Sequence, residues 1–114
     1  MAMVDNQKIV SQREIFEKCA DIVNDPAAKV EHTTDTPHYH ISYKDKKIFE
    51  IYRCGSVLHI EINYVMFDSL TGENRKFVSD LYDRVVAKYV EQENSRNRNV
   101  LNFLNSFTLG KQKQ

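Results

Sequence analysis

Between His38 and Ile62 the sequence alternates apolar and polar residues in three short runs: His38–Tyr43, Ile48–Arg53 and Val57–Ile62. Successive side chains of a strand point to opposite faces, so strict period-two alternation reads as a strand with one buried face. Tyr39, Ile41, Phe49, Ile51, Leu58 and Ile60 fall on that face. The other face collects His38, His40, Ser42, Glu50, Tyr52, His59 and Glu61.

Hairpin parity tests this assignment. A two-residue Cys54-Gly55 turn sets Tyr52 against Val57, Glu50 against His59 and Phe49 against Ile60, which keeps the two faces separate. The first hairpin is harder to close. A two-residue Asp45-Lys46 turn would place Ile41 opposite Glu50, whereas a three-residue loop restores parity and sets His40 against Glu50 or Tyr52. The three-residue loop is therefore expected.

Helical periodicity flanks the strands. Ser11-Gln12-Arg13-Glu14 has capping-box spacing, and Ile15, Phe16, Cys19, Ala20, Ile22 and Val23 follow as one stripe. Asn24-Asp25-Pro26 ends that helix, because proline lacks an amide proton and disfavours helix just before itself. Lys29–Thr34 reads as a weak first strand, Asp35-Thr36-Pro37 as a turn, and Tyr64–Phe67 as an extension of the third clear strand. After an Asp68–Gly72 loop, with Thr71 as cap, Phe77, Val78, Leu81, Tyr82, Val85, Val86, Tyr89 and Val90 make the strongest stripe in the chain. Glu93–Asn99 reads as a polar break rich in poor helix formers. Val100, Leu101, Phe103, Leu104 and Phe107 then repeat at helical spacing.

These elements predict an α+β fold: a two-layer antiparallel β-meander of three to four strands, two main helices on one face and a short C-terminal helix. Residues 11–109 form the single domain, 1–10 a flexible leader and 110–114 a disordered tail. At 114 residues, 41% hydrophobic and 28% charged, the composition is that of a globular domain able to bury a core without metals or disulfides. Cys19 lies on a helical stripe and reads as a buried thiol; Cys54 falls in a turn and reads as exposed. Two unpaired cysteines and no signal-peptide pattern suggest a cytoplasmic protein.

Sixteen basic and sixteen acidic residues cancel. Without a basic field, nucleic-acid binding would rest on a local patch such as Lys44, Lys46 and Lys47, or Arg96 and Arg98, and is not favoured. No apolar run is long enough to span a bilayer, and no membrane partner is expected. With only three glycines, no phosphate-cradling loop can be read. No motif calls for a cofactor, and no metal-site spacing such as HExxH is present.

Two uses of the polar sheet face remain. One is catalytic or metal-binding chemistry on His40, Glu50 and His59. There Glu50 opposite His59 would favour the imidazolium, and two imidazoles with a carboxylate could bracket a phosphate or a metal. Arg53 is an unsuitable helper, because parity sends it to the opposite face. The other use is contact. Tyr52, Ile48, Val57 and His38 on the sheet, with Phe103 and Phe107 in the C-terminal segment, suit a binding surface. The expected function is a non-enzymatic protein-interaction domain that binds a partner or itself as a homodimer; the alternative is a small hydrolase or metal site.

Overall fold

The computed structural model describes residues 10–33, 37–67 and 70–110. Helix α1 (Gln12–Asn24) leads into five strands, β1 (Ala28–His32), β2 (His38–Tyr43), β3 (Lys46–Cys54), β4 (Val57–Ile62) and β5 (Val65–Phe67), and then into helix α2 (Gly72–Asn105). The strands pair in sequence order, each antiparallel to the next, so the sheet is a plain meander. Both helices pack on its apolar face, giving a two-layer α+β domain. Residues 1–9 and 111–114, on which most of the expected leader and tail fall, lie outside the described residues. So do Thr34, the Asp35-Thr36 part of the expected turn, and Asp68-Ser69.

The predicted partition of faces holds in the three alternating runs except at Ile48, which a bulge turns to the core. Val30, Tyr39, Ile41, Phe49, Ile51, Leu58 and Ile60 line the sheet side of the core. Phe16, Cys19 and Val23 of α1 and Val78, Leu81, Tyr82 and Val85 of α2 close it. The Ser11 half of the α1 capping box forms: the Glu14 amide donates to Ser11 Oγ over 3.2 Å, while the Glu14 carboxylate accepts from the Ser11 hydroxyl at 3.5 Å. At the other end, Lys88 Nζ donates to the carbonyls of Val23 (2.7 Å) and Asp25 (2.8 Å). A cation on the last carbonyls of a helix satisfies orphan acceptors and opposes the negative end of the dipole. Burial holds the Lys88 ammonium below the usual lysine range, partly offset by Asp25.

Three local expectations are corrected. The β3–β4 turn is Gly55-Ser56, so Cys54 faces Val57 and Tyr52 faces His59. Gly55 takes φ +64°, which suits glycine at the first position of a II′ hairpin. The register is thus displaced by two, which leaves every side chain on its face but changes every partner. The β2–β3 turn is Lys44-Asp45, both residues at positive φ (53° and 65°), with no three-residue loop. Parity is restored by a bulge: Ile41 faces Phe49 while Ser42 faces Lys47, leaving Ile48 as the extra residue. Finally, Tyr64–Phe67 does not prolong β4. Asn63 and Tyr64, both at positive φ, turn the chain back into β5, a fifth strand.

The largest correction concerns the C-terminus. No break separates two helices; Gly72–Asn105 is one helix of 34 residues. Only Asn94, Ser95, Asn97 and Asn99 are poor formers in the polar stretch, and the cost of a few tenths of a kcal/mol apiece is small once a helix is already nucleated. An Arg96–Glu93 ion pair lies within it. At 1.5 Å per residue the helix is about 51 Å long, whereas four spacings of 4.8 Å set the outer strands only about 19 Å apart. The helix outruns the sheet.

Among the described residues, its last hydrogen bond to the sheet comes from Gln92. The amide oxygen accepts from the Val30 N–H (2.8 Å) and the amide nitrogen donates to the Val30 carbonyl (2.7 Å). This bidentate clasp occupies the two ladder groups that Val30 of edge strand β1 would otherwise offer to another strand. Every described residue beyond Glu93 is exposed.

Candidate functional site

Two regions hold side chains that the core does not use: the open face of the sheet and the free end of α2. On the open face, β2 presents His38 and His40, two residues apart and therefore on the same side. Their rings are parallel within 8°, with centroids 4.9 Å apart. Register places Tyr52 opposite His38 and His59 opposite Tyr52. The rings stack across the strands, His38 on Tyr52 at 4.5 Å and Tyr52 on His59 at 4.8 Å. Tyr52 also directs its hydroxyl to Met66 Sδ at 3.8 Å.

Glu50 stands opposite His40. Its Oε1 accepts from His38 Nε2 at 3.0 Å and from Lys47 Nζ at 3.1 Å, and lies 3.0 Å from His40 Nδ1. The side chain is only 13% exposed although no described element covers this face; its neighbours shield it. Burial pushes the Glu50 carboxyl up, but hydrogen bonds from Lys47 and His38 and the Lys47 charge outweigh it, and the group stays below the ordinary carboxylate range. Burial lowers His40, the Glu50 charge works against this, and Lys47 and His38 lower it further. The balance holds His40 below the usual histidine range. Lys47 supplies the compensating charge. The far side of the His40 ring is also engaged, with Nε2 3.1 Å from Thr33 Oγ1.

The expected trio of His40, Glu50 and His59 is only partly assembled. His40 and Glu50 meet; His59 does not join them, because the two-residue register change sets Glu61 opposite Glu50 and leaves His59 behind the Tyr52 ring. His38 takes the place expected for His59. Lys47 is the residue that sequence reasoning missed. Simple alternation puts it on the apolar face, and the bulge at Ile48 moves it to the polar one. The signal was present as the parity conflict of a two-residue turn.

Among the expected contact residues, Tyr52 and His38 are half-buried within the ring stack. Ile48 does not stand on the open face but packs against the core, again through the bulge. Val57 is exposed beside the turn. Arg53 lies on the helix side as parity requires, its guanidinium 4.8 Å above the Tyr82 ring. Cys19 is buried and Cys54 exposed, both as free thiols.

The free end of α2 is chemically simpler. Val100, Leu101, Phe103 and Leu104 are each more than half exposed, and Phe103 reaches 63%. At 100° per residue they span an arc of about 160°, overlapping the side that carries Val78, Tyr82 and Val85 into the core. Phe107, just past the helix, packs edge-to-face on Phe103 with centroids 5.1 Å apart. Among the described residues no helix is long and apolar enough to cross a membrane.

No protein-family model, curated protein or solved structure matches the chain. Its functional reading rests on these two regions.

Proposed function

We propose that the chain is a small non-enzymatic interaction domain of the cytoplasm that pairs with a second copy of itself through the free end of α2. The observation that supports this reading is the unbroken helix carrying Val100, Leu101, Phe103 and Leu104 beyond the sheet with no described partner. Its apolar stripe has no described element packed over it, and a neighbouring helix would supply that cover. A second copy supplies the same stripe, as a two-fold contact requires. With a net charge of zero, no long-range repulsion keeps copies apart.

Each of these side chains is already half covered, so pairing adds roughly 1 kcal/mol apiece. Summed over two copies this is of the same order as the entropic cost of association, about 4–15 kcal/mol. The pairing is accordingly expected to be reversible and concentration-dependent. The open sheet face plays the smaller part, since Tyr52 and His38 are engaged with their neighbours and Ile48 faces the core.

Sedimentation equilibrium of the full chain over a wide concentration range tests the reading. The wild type is expected to shift from monomer to dimer, and a Leu101→Glu, Leu104→Glu variant to remain monomeric with an unchanged core. A wild type that is monomeric throughout, or a double variant that dimerises equally well, contradicts it.

A further inference from the structure

We propose that His38, His40 and Glu50 form a binding site for a divalent transition metal of zinc type on the open face of the sheet. One donor atom from each residue comes within 4.8 Å of the other two, and both imidazole nitrogens already lie 3.0 Å from Glu50 Oε1. A tetrahedral zinc ion with donors at 2.0–2.2 Å sets neighbouring donor atoms about 3.3 Å apart. Each nitrogen–oxygen edge therefore opens by only about 0.3 Å to admit the ion. The two rings must also turn out of their parallel stack so that both lone pairs meet at one point. That rotation is about a bond to a ring carbon, where the torsional wells are broad.

A separate contact favours the same reading. A histidine bound to a metal through one nitrogen usually donates its other N–H to an outer partner, which fixes the tautomer. His40 points Nδ1 at Glu50 and holds Nε2 3.1 Å from Thr33 Oγ1. With the ion on Nδ1, the proton resides on Nε2 and is donated to the Thr33 hydroxyl. Each imidazole meets the ion through a ring nitrogen that carries no proton, any proton there passing to solvent or to the other ring nitrogen. The Lys47 ammonium, half exposed, withdraws to the outer oxygen of Glu50 or to water.

The donor set selects the metal. Two imidazoles and one carboxylate suit zinc, cobalt, nickel or copper better than magnesium or calcium, which favour oxygen ligands. Three protein donors leave a fourth position, and no described element covers the face from which water would fill it. His59 lies outside the site, separated from His38 by the Tyr52 ring.

Calorimetric titration of the metal-stripped full chain with Zn²⁺ alone, together with visible absorption on adding Co²⁺, tests the proposal. One equivalent of Zn²⁺ is expected to bind with micromolar or tighter affinity, and Co²⁺ to give the intense bands of a four-coordinate ion. His38→Ala and His40→Ala should each weaken Zn²⁺ binding by at least about 10-fold, and Thr33→Val by about 10-fold at unchanged stoichiometry. His59→Ala should change affinity by less than about twofold, with far-UV circular dichroism showing every variant folded. The proposal is overturned if His59→Ala weakens binding as much as His38→Ala does. It is equally overturned if the wild type binds no more tightly than folded His38→Ala, or if Co²⁺ shows only the weak bands of a six-coordinate ion.

Discussion

Within α2, Val78, Leu81, Tyr82 and Val85 are buried in the core. Val100, Leu101, Phe103 and Leu104, recurring on an overlapping side of the same helix, are more than half exposed. Side-chain chemistry does not separate the two groups; the extent of the sheet does. The first group lies over the strands, whereas the second begins beyond Gln92, where the clasp on Val30 makes the last described hydrogen bonds to edge strand β1. Apolar periodicity thus states that a helix has a face to bury. It does not state whether this chain or another supplies the cover.

Truncation should separate the two halves most sharply. Leu81→Ala is expected to destabilise the fold by about 2–5 kcal/mol through lost burial and a residual cavity. Leu104→Ala should change the stability of the dilute monomer by no more than about 0.5 kcal/mol. Urea denaturation at low protein concentration measures both, and equal losses would erase the distinction.

A break placed between the halves comes next in size. Asn97→Pro removes an amide donor in mid-helix, at a local cost of about 3 kcal/mol. Far-UV circular dichroism should lose the helical signal of the free end, while the core's unfolding midpoint stays within a few degrees. A collapse of the midpoint would show that the free end supports the core.

A smaller effect concerns the cysteines, one inside the core and one outside it. Burial raises the Cys19 thiol from 9.0 to about 11. The protonated thiol is thus favoured in the folded state, and its contribution to stability is complete below pH 9, then lost as pH rises towards 11. Cys19→Ala should flatten that alkaline decline. An alkylating reagent at pH 8 should label Cys54 quickly and Cys19 only on unfolding, read by mass spectrometry.

How much of this was legible in the sequence depended on whether a feature changes parity. The buried faces of β2, β3 and β4 followed from alternation alone, because Tyr39, Ile41, Phe49, Ile51, Leu58 and Ile60 must share a side. A displacement of two residues preserves that pattern, so the true partners of Glu50 and His59 were invisible to it. Turns that place Lys44, Asp45, Asn63 and Tyr64 at positive φ carry no glycine to announce them. Tyr64, a bulky residue in the left-handed region, is a particularly uncommon choice. The bulge at Ile48 could be inferred only as a conflict, and it decides that Lys47 joins Glu50 while Ile48 leaves the open face. In the candidate site, His40 and Glu50 were legible as sharing a face, with Glu50 or Tyr52 left open as the partner of His40; that pairing, His38 and Lys47 all needed the register. The continuity of α2 was obscured by Asn94, Ser95, Asn97 and Asn99, whose low propensities are outweighed by the helix on both sides.

Hydrogen exchange along α2, measured at several protein concentrations, tests the self-association claim most directly. The account predicts that amides at residues 100–104 become more protected as concentration rises, while those at residues 78–85 remain slow throughout. Rapid exchange at residues 100–104 that is independent of concentration would contradict it.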